Sequence, residues 1–175
     1  STGEQAWLDR AKDSPYWDGP GFHSTGFDWR SVAALGRLHL ASVPSKLPMR
    51  DLKAIQLSVR EAAEAYLRDP KEEAFGFMYH NNLFGWGSNH LLIQNMIVVS
   101  TAYDITGDKR YLQAVRESMD YLLGRNALGI SYVTGYGTTY ARRQHSNMFA
   151  ASIDPYYPAV PKGALAGGPN SGLAD

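Results

Sequence analysis

Apolar residues return every three or four positions along much of this chain, the spacing of helices that bury one face. The pattern predicts five helices. The first covers about residues 4–12. The second covers about 29–43, with Val32, Leu35, Leu38 and Leu40 as its apolar positions and Pro44 as its stop. The third runs from just after Pro48 to about residue 68, carrying Leu52, Ile55, Val59, Ala62, Ala63 and Tyr66, and Pro70 closes it. The fourth is expected to start with Ser88 as its N-cap and to run through Leu92, Met96, Val99 and Tyr103 to Gly107, a suitable C-terminal stop. The fifth covers about 109–123, places Leu112, Val115, Met119 and Leu122 on one stripe, and ends at Gly124. Beyond Gly124 the long helical pattern stops, and only Ser131-Tyr132-Val133-Thr134 reads as a short extended piece.

The fifth helix opens as the first does, 104 residues earlier: Thr106-Gly107-Asp108-Lys109-Arg110-Tyr111-Leu112 matches Thr2-Gly3-Glu4-Gln5-Ala6-Trp7-Leu8. The shared physics is a glycine that ends one helix, an acid at the positive end of the next helix's dipole, and an aromatic–Leu pair that docks it. Repeated helix–turn–helix units point to an array of α-hairpins or a toroid, with chance reuse of helix-start chemistry as the alternative. In the second copy a helix precedes the Thr-Gly pair; in the first copy that helix is missing. A stretch as long as 124–175 without helical pattern belongs on a larger body or at a functional site. Residues 1–175 are therefore expected to be a partial domain, cut at both ends.

Composition narrows the function. Lys plus Arg and Asp plus Glu number 17 each, so the chain has no net charge with which to attract nucleic acid, and a polyanionic substrate is disfavoured for the same reason. A neutral partner fits better. With 44% hydrophobic residues a real core is available. No apolar run reaches membrane-spanning length. There is no cysteine, which excludes disulfides and thiolate zinc sites, and the five histidines lack a two-ligand helical spacing, so no catalytic metal is indicated. Many of the 11 Tyr, 6 Phe and 4 Trp sit beside Gly, Asn or His in loop-like stretches, where aromatic rings make flat stacking surfaces, although half or more of them are expected to fill the core.

The candidate chemistry lies between Leu122 and Pro169. Glycines at 135, 137, 163, 167 and 168 permit tight turns that can hold Tyr136 and His145 around a pocket. The run Gly124-Arg125-Asn126, then Ser131 to Gly137 (Ser-Tyr-Val-Thr-Gly-Tyr-Gly), then His145 fourteen residues after Ser131, then Gly167-Gly168-Pro169, resembles the C-terminal signature of glycoside hydrolase family 9. Gly26-Phe27-Asp28-Trp29, Trp86-Gly87-Ser88-Asn89, Thr101-Ala102-Tyr103-Asp104 and Thr106-Gly107-Asp108 are similar to that family as well, in order along nearly the whole chain.

The resemblance implies an all-α fold, part of an (α/α)6 barrel, with about five helices and a long C-terminal loop region. It implies inverting hydrolysis of β-1,4-glucosidic bonds in cellulose or a related β-glucan, outside the cell. No cofactor is implied, and a structural calcium is allowed in the full domain. Inversion needs a carboxylate base for a water and a carboxylic acid for the leaving oxygen. In the family these come from an Asp-x-x-Asp motif and a C-terminal Asn-Glu segment, and neither occurs here. Glu61 and Glu64 share a helix face but read as solvated. The isolated chain is thus expected to lack hydrolytic activity while lining the cleft. His145 corresponds to the signature histidine that holds a sugar hydroxyl; for a lone loop histidine the alternative is a local hydrogen bond. The family pattern is His-x-Arg, and Asn147 departs from it, lacking the charge and fork of arginine; Arg142 or Arg143 could compensate. Trp86 and Trp29 resemble platform aromatics, with packing as the alternative. Asp28 is read as a hydroxyl ligand or a helix N-cap. His90 and Tyr136 complete the substrate-binding candidates. A non-catalytic glucan-binding or inactive fragment, and a glucosaminidase-type relative, remain as other readings.

Overall fold

The computed structural model describes residues 4–19, 21, 22, 27, 28, 31–68, 74–79, 84–144, 146–151 and 153–172. Two candidates from the sequence, Trp29 and His145, lie outside the described residues. Among the described residues five α-helices follow in order: α1 Gln5–Lys12, α2 Ala33–Ser42, α3 Met49–Tyr66, α4 Ser88–Thr106 and α5 Lys109–Leu122. No helix among the described residues is long and apolar enough to cross a membrane.

Helix α4 is the centre of the array and packs against α2, α3 and α5. Its apolar residues Leu92, Met96, Val98, Val99 and Ala102 are buried along one broad face, with Ile97 exposed on the opposite side. Helix α3 behaves as its periodicity predicts, with Ile55, Val59, Ala63 and Tyr66 buried along one face. Helices α4 and α5 form a hairpin across only two residues. Gly107 at φ 71° closes α4, and Asp108 opens α5 by accepting a hydrogen bond from the Arg110 backbone N–H at 2.9 Å. This is the turn chemistry that the internal repeat pointed to.

Three expectations are corrected. Ser88 is not the N-cap of α4. That position is Gly87, and the Ser88 hydroxyl instead donates to the Pro169 carbonyl at 2.7 Å. Helix α2 starts at Ala33, and Val32 and Leu35 are about half exposed; its buried face is Ala34, Leu38 and Ala41. On α5 the buried residues are Tyr111, Ala114, Ser118, Tyr121 and Leu122, so the stripe lies one position earlier than Leu112, Val115 and Met119 imply. The shift arises because α5 packs with its tyrosines and gives a buried serine a structural task.

That task is to hold a non-helical strap, residues 74–79, against the helix pair. The buried Ser118 hydroxyl accepts from the Met78 backbone N–H at 3.1 Å, and the buried Asn95 amide donates to the Met78 carbonyl at 2.9 Å. Phe77, Met78 and Tyr79 are all buried. Phe77 stacks on Tyr121 with ring centroids 4.0 Å apart, Tyr79 stacks on Phe84 at 5.5 Å, and Tyr121 meets Tyr132 at 5.8 Å. A connected aromatic column therefore runs from the strap through the last turn of α5 into the C-terminal region. Such ring pairs add about 0.5–1.5 kcal/mol each beyond their buried area.

Glu64 on α3 accepts hydrogen bonds from the Tyr111 hydroxyl at 2.7 Å and from Arg110 at 3.0 Å, tying α3 to α5. Glu64 is thus a surface structural residue. The Tyr111 bond, more than the arginine, holds its carboxyl below the usual glutamate value of 4.5. A depressed carboxylate stabilises the fold above its unfolded-state pKa, and the contribution is lost as the pH falls through the folded value. Tyr111→Phe is accordingly expected to cost under about 1 kcal/mol at pH 7, because the site is well solvated. The difference from wild type should shrink below about pH 4, in urea denaturation at the two pH values.

Candidate functional site

The long segment after α5 is organised by backbone hydrogen bonds between residues far apart in sequence. Asn126 is 7% exposed and uses its whole amide: Nδ2 donates to the Tyr121 and Ile130 carbonyls, and Oδ1 accepts from the Leu128 N–H. This closes the end of α5 and turns the chain back. Ser131 and Val133 then make isolated bridges to Tyr140 and Leu165, so the predicted extended piece is the spine of the region. The Ala166 N–H donates to the Tyr132 carbonyl at 2.8 Å.

Residues 166–171 then lie across the start of α4. The Asn89 N–H donates to the Gly167 carbonyl at 3.0 Å, the Asn89 amide to Ala166, and the Ser88 hydroxyl to Pro169. Ser171 donates both its N–H and its hydroxyl to the Phe84 carbonyl. Gly168 sits at φ 94°, and a Cβ there would lie 2.6 Å from both Asn89 Cγ and Ser88 Oγ. The glycine is required by backbone conformation and by space together.

Between this strip, the 128–132 turn and residues 141–144 opens a cavity of about 390 Å³. Trp86 stands on its wall and is 58% exposed, placed immediately before the Gly87 cap of α4. Tyr132, the end of the aromatic column, lines it too; burial pushes its phenol above the ordinary tyrosine value, so it stays a neutral O–H donor. Arg142, Arg143 and Gln144 supply the polar side, with Thr134 Oγ1 3.2 Å from the Gln144 amide oxygen. No aspartate or glutamate is among the described residues that line this cavity. An exposed indole, two guanidiniums and an anchored amide around an open hollow can stack on a flat apolar face and bond hydroxyls at its edge, and they supply no acid–base pair.

The other candidates are placed as follows. Gln144, which precedes His145 in the chain, is on the cavity wall. His90 is half-buried one turn into α4, where Nδ1 lies 2.6 Å from the Gly87 carbonyl, a bond local to the helix start. Tyr136 is half exposed under the Lys162 ammonium, 4.8 Å from the ring centroid. Asn147 is exposed. Asp28 is bridged to Ser31, lies five residues before α2 begins, and does not cap that helix. None of these four is among the residues lining the Trp86 cavity. Tyr132 and Gln144, both on the cavity wall, are not among the candidates named from the sequence, although both stand inside the 122–169 segment where the candidate chemistry lies.

The sequence profile described as Glycosyl hydrolase family 9 matches residues 1–175. The chain belongs to glycosyl hydrolase family 9. Endoglucanase C of Cellulomonas fimi is 48% identical over 99% of this chain and 16% of its own length. Cellulose 1,4-beta-cellobiosidase of Acetivibrio thermocellus is 36% identical over 85% of this chain and 17% of its own. This family 9 chain thus spans about a sixth of those two relatives. In structure it is similar to a metagenome-derived glycoside hydrolase family 9 endoglucanase (TM-score 0.82, 24% identity, 97% of this chain and 30% of that one). It is also similar to a family 9 protein of Bacteroides ovatus (TM-score 0.79, 28% identity, 98% and 31%). The fold is accordingly all-α, a portion of the family 9 (α/α)6 barrel, and the helical array centred on α4 is part of that toroid.

Proposed function

We propose that the protein, at its natural length, hydrolyses β-1,4-glucosidic bonds of cellulose or a related β-glucan with inversion, acting outside the cell, and that residues 1–175 supply part of its substrate-binding wall. The observation that carries this reading is the exposed Trp86 indole on an open cavity whose remaining polar groups are neutral or cationic. A β-1,4-linked glucose ring has equatorial hydroxyls and an apolar face of axial C–H bonds. An indole takes that face, and hydrogen-bonding groups at the rim take the edge. The relatives' names, an endoglucanase and a cellobiosidase, support the same substrate class. In this reading His145 holds a sugar hydroxyl, Trp29 is a second platform, and Asp28, Tyr136 and His90 are outlying contacts, while Asn147 stands apart from the cavity. The inverting acid and base stand far enough apart to admit a water and come from other residues of the barrel.

The test is calorimetric titration with cello-oligosaccharides. Trp86→Ala is expected to weaken binding roughly tenfold, about 1.4 kcal/mol, with little change in melting temperature because the ring is exposed. Undiminished affinity in that variant would remove the basis of the proposal. A binding-only role is favoured for residues 1–175 by themselves, since the described cavity wall holds no carboxylate. Purified 1–175 should bind cello-oligosaccharides without turning over soluble cellulose derivatives.

A further inference from the structure

Two arginines stand side by side on the wall of the Trp86 cavity, directly before Gln144, and they are engaged differently. The Arg142 guanidinium lies 4.9 Å from the centroid of the Tyr140 ring, a cation–π contact that occupies its flat face. Arg143 is exposed and, among the described residues, has no hydrogen bond, ion pair or ring contact. Its five N–H donors are available to whatever enters the cavity. Gln144 beside it is anchored through Thr134, which leaves the other end of its amide for a ligand. Asn147, where the resemblance leads one to expect an arginine, is exposed and is not among the lining residues.

We propose that Arg143 is the cation that grips sugar hydroxyls in the Trp86 cavity, and that the role has moved from position 147 to position 143 in this chain. The inference rests on the reading above that the cavity takes a β-glucan. A guanidinium fork donates two parallel N–H groups, which suits the paired oxygens along the edge of a pyranose ring whose face lies on an indole. Thr134 and the backbone bonds of residues 131–141 fix the segment that carries it, so the fork is delivered from a supported wall. A position that does not line the cavity cannot provide the same contact.

The experiment titrates cellotetraose into the protein at its natural length. Arg143→Ala is expected to weaken binding about tenfold, the size of a lost charge-assisted hydrogen bond. Arg143→Lys should fall between that and wild type, because lysine keeps the charge and loses the fork. Asn147→Ala should stay within about twofold. In steady-state assays Arg143→Ala should raise KM by a larger factor than it lowers kcat, a split that a purely structural residue would not give. Wild-type affinity in Arg143→Ala together with a tenfold loss in Asn147→Ala overturns the proposal and leaves the glucan reading standing, provided Trp86→Ala still weakens binding. Wild-type affinity in both Trp86→Ala and Arg143→Ala overturns the two together.

Discussion

Truncation of Tyr121 to alanine is expected to destabilise the chain by about 3–5 kcal/mol, the range for removing a large aromatic side chain from a packed core. Tyr121 is 4% exposed in the last turn of α5, where three rings meet it: Phe77 stacked at 4.0 Å, Tyr132 at 5.8 Å and Phe75 at 6.4 Å. Its loss would open a hole between the strap and the C-terminal region, and the strap's backbone is pinned by Asn95 and Ser118, so it cannot follow the missing ring. The effect should reach the site as well, because Tyr132 lines the cavity and leans on Tyr121. Urea denaturation and cello-oligosaccharide titration would both register the change. Tyr121→Phe is the informative control. It keeps the column and removes the hydroxyl, with its interaction with Tyr132, at a cost of about 0.5–1.5 kcal/mol. If the alanine variant lost less than about 1 kcal/mol, the column would be decoration on a fold held elsewhere.

How much of this was legible in the sequence depends on what kind of contact each residue makes. Helix α3 was legible because its buried residues are apolar and its neighbours lie on one side. Helix α5 was misread by one position because its buried face mixes tyrosines with Ser118, whose value lies in a hydrogen bond to a strap forty residues away in sequence. No periodicity reports such a bond. The strap itself, residues 74–79, left no helical or strand pattern, although Phe77, Met78 and Tyr79 are among the most buried residues. Trp86 was legible as a candidate through the Trp-Gly-Ser-Asn resemblance, and it lines the cavity. Arg143 and Gln144 were harder, since charged and amide residues in a loop ordinarily mean a solvated surface. What gives them a role is the return of residues 166–171 across α4, a placement set by backbone hydrogen bonds between positions about eighty apart.

That returning strip makes Gly168 the position where one methyl group should do most damage to the site. Gly168→Ala places a side chain at φ 94°, a conformation that costs an L-residue about 1–2 kcal/mol. The new Cβ would also press to 2.6 Å against Ser88 Oγ and Asn89 Cγ. Neither neighbour is free to swing aside, because Ser88 donates to Pro169 and Asn89 donates to Ala166. Overpacking of this kind adds about 1–3 kcal/mol. The cheapest relief is for the strip to lift from α4, which breaks those two bonds and moves one wall of the Trp86 cavity outward. The expected result is a marked fall in melting temperature and at least about a tenfold loss of cello-oligosaccharide affinity, equivalent to about 1.4 kcal/mol. Gly167→Ala supplies the comparison: it has no positive φ and nothing within 4 Å of its Cβ position, so it should be close to neutral in both measurements. If the two alanine variants behaved alike, the strip's contact with α4 would not be what shapes the cavity. If Gly168→Ala lost affinity at an unchanged melting temperature, the strip would be acting on the site as a local element, separable from the helical array beneath it.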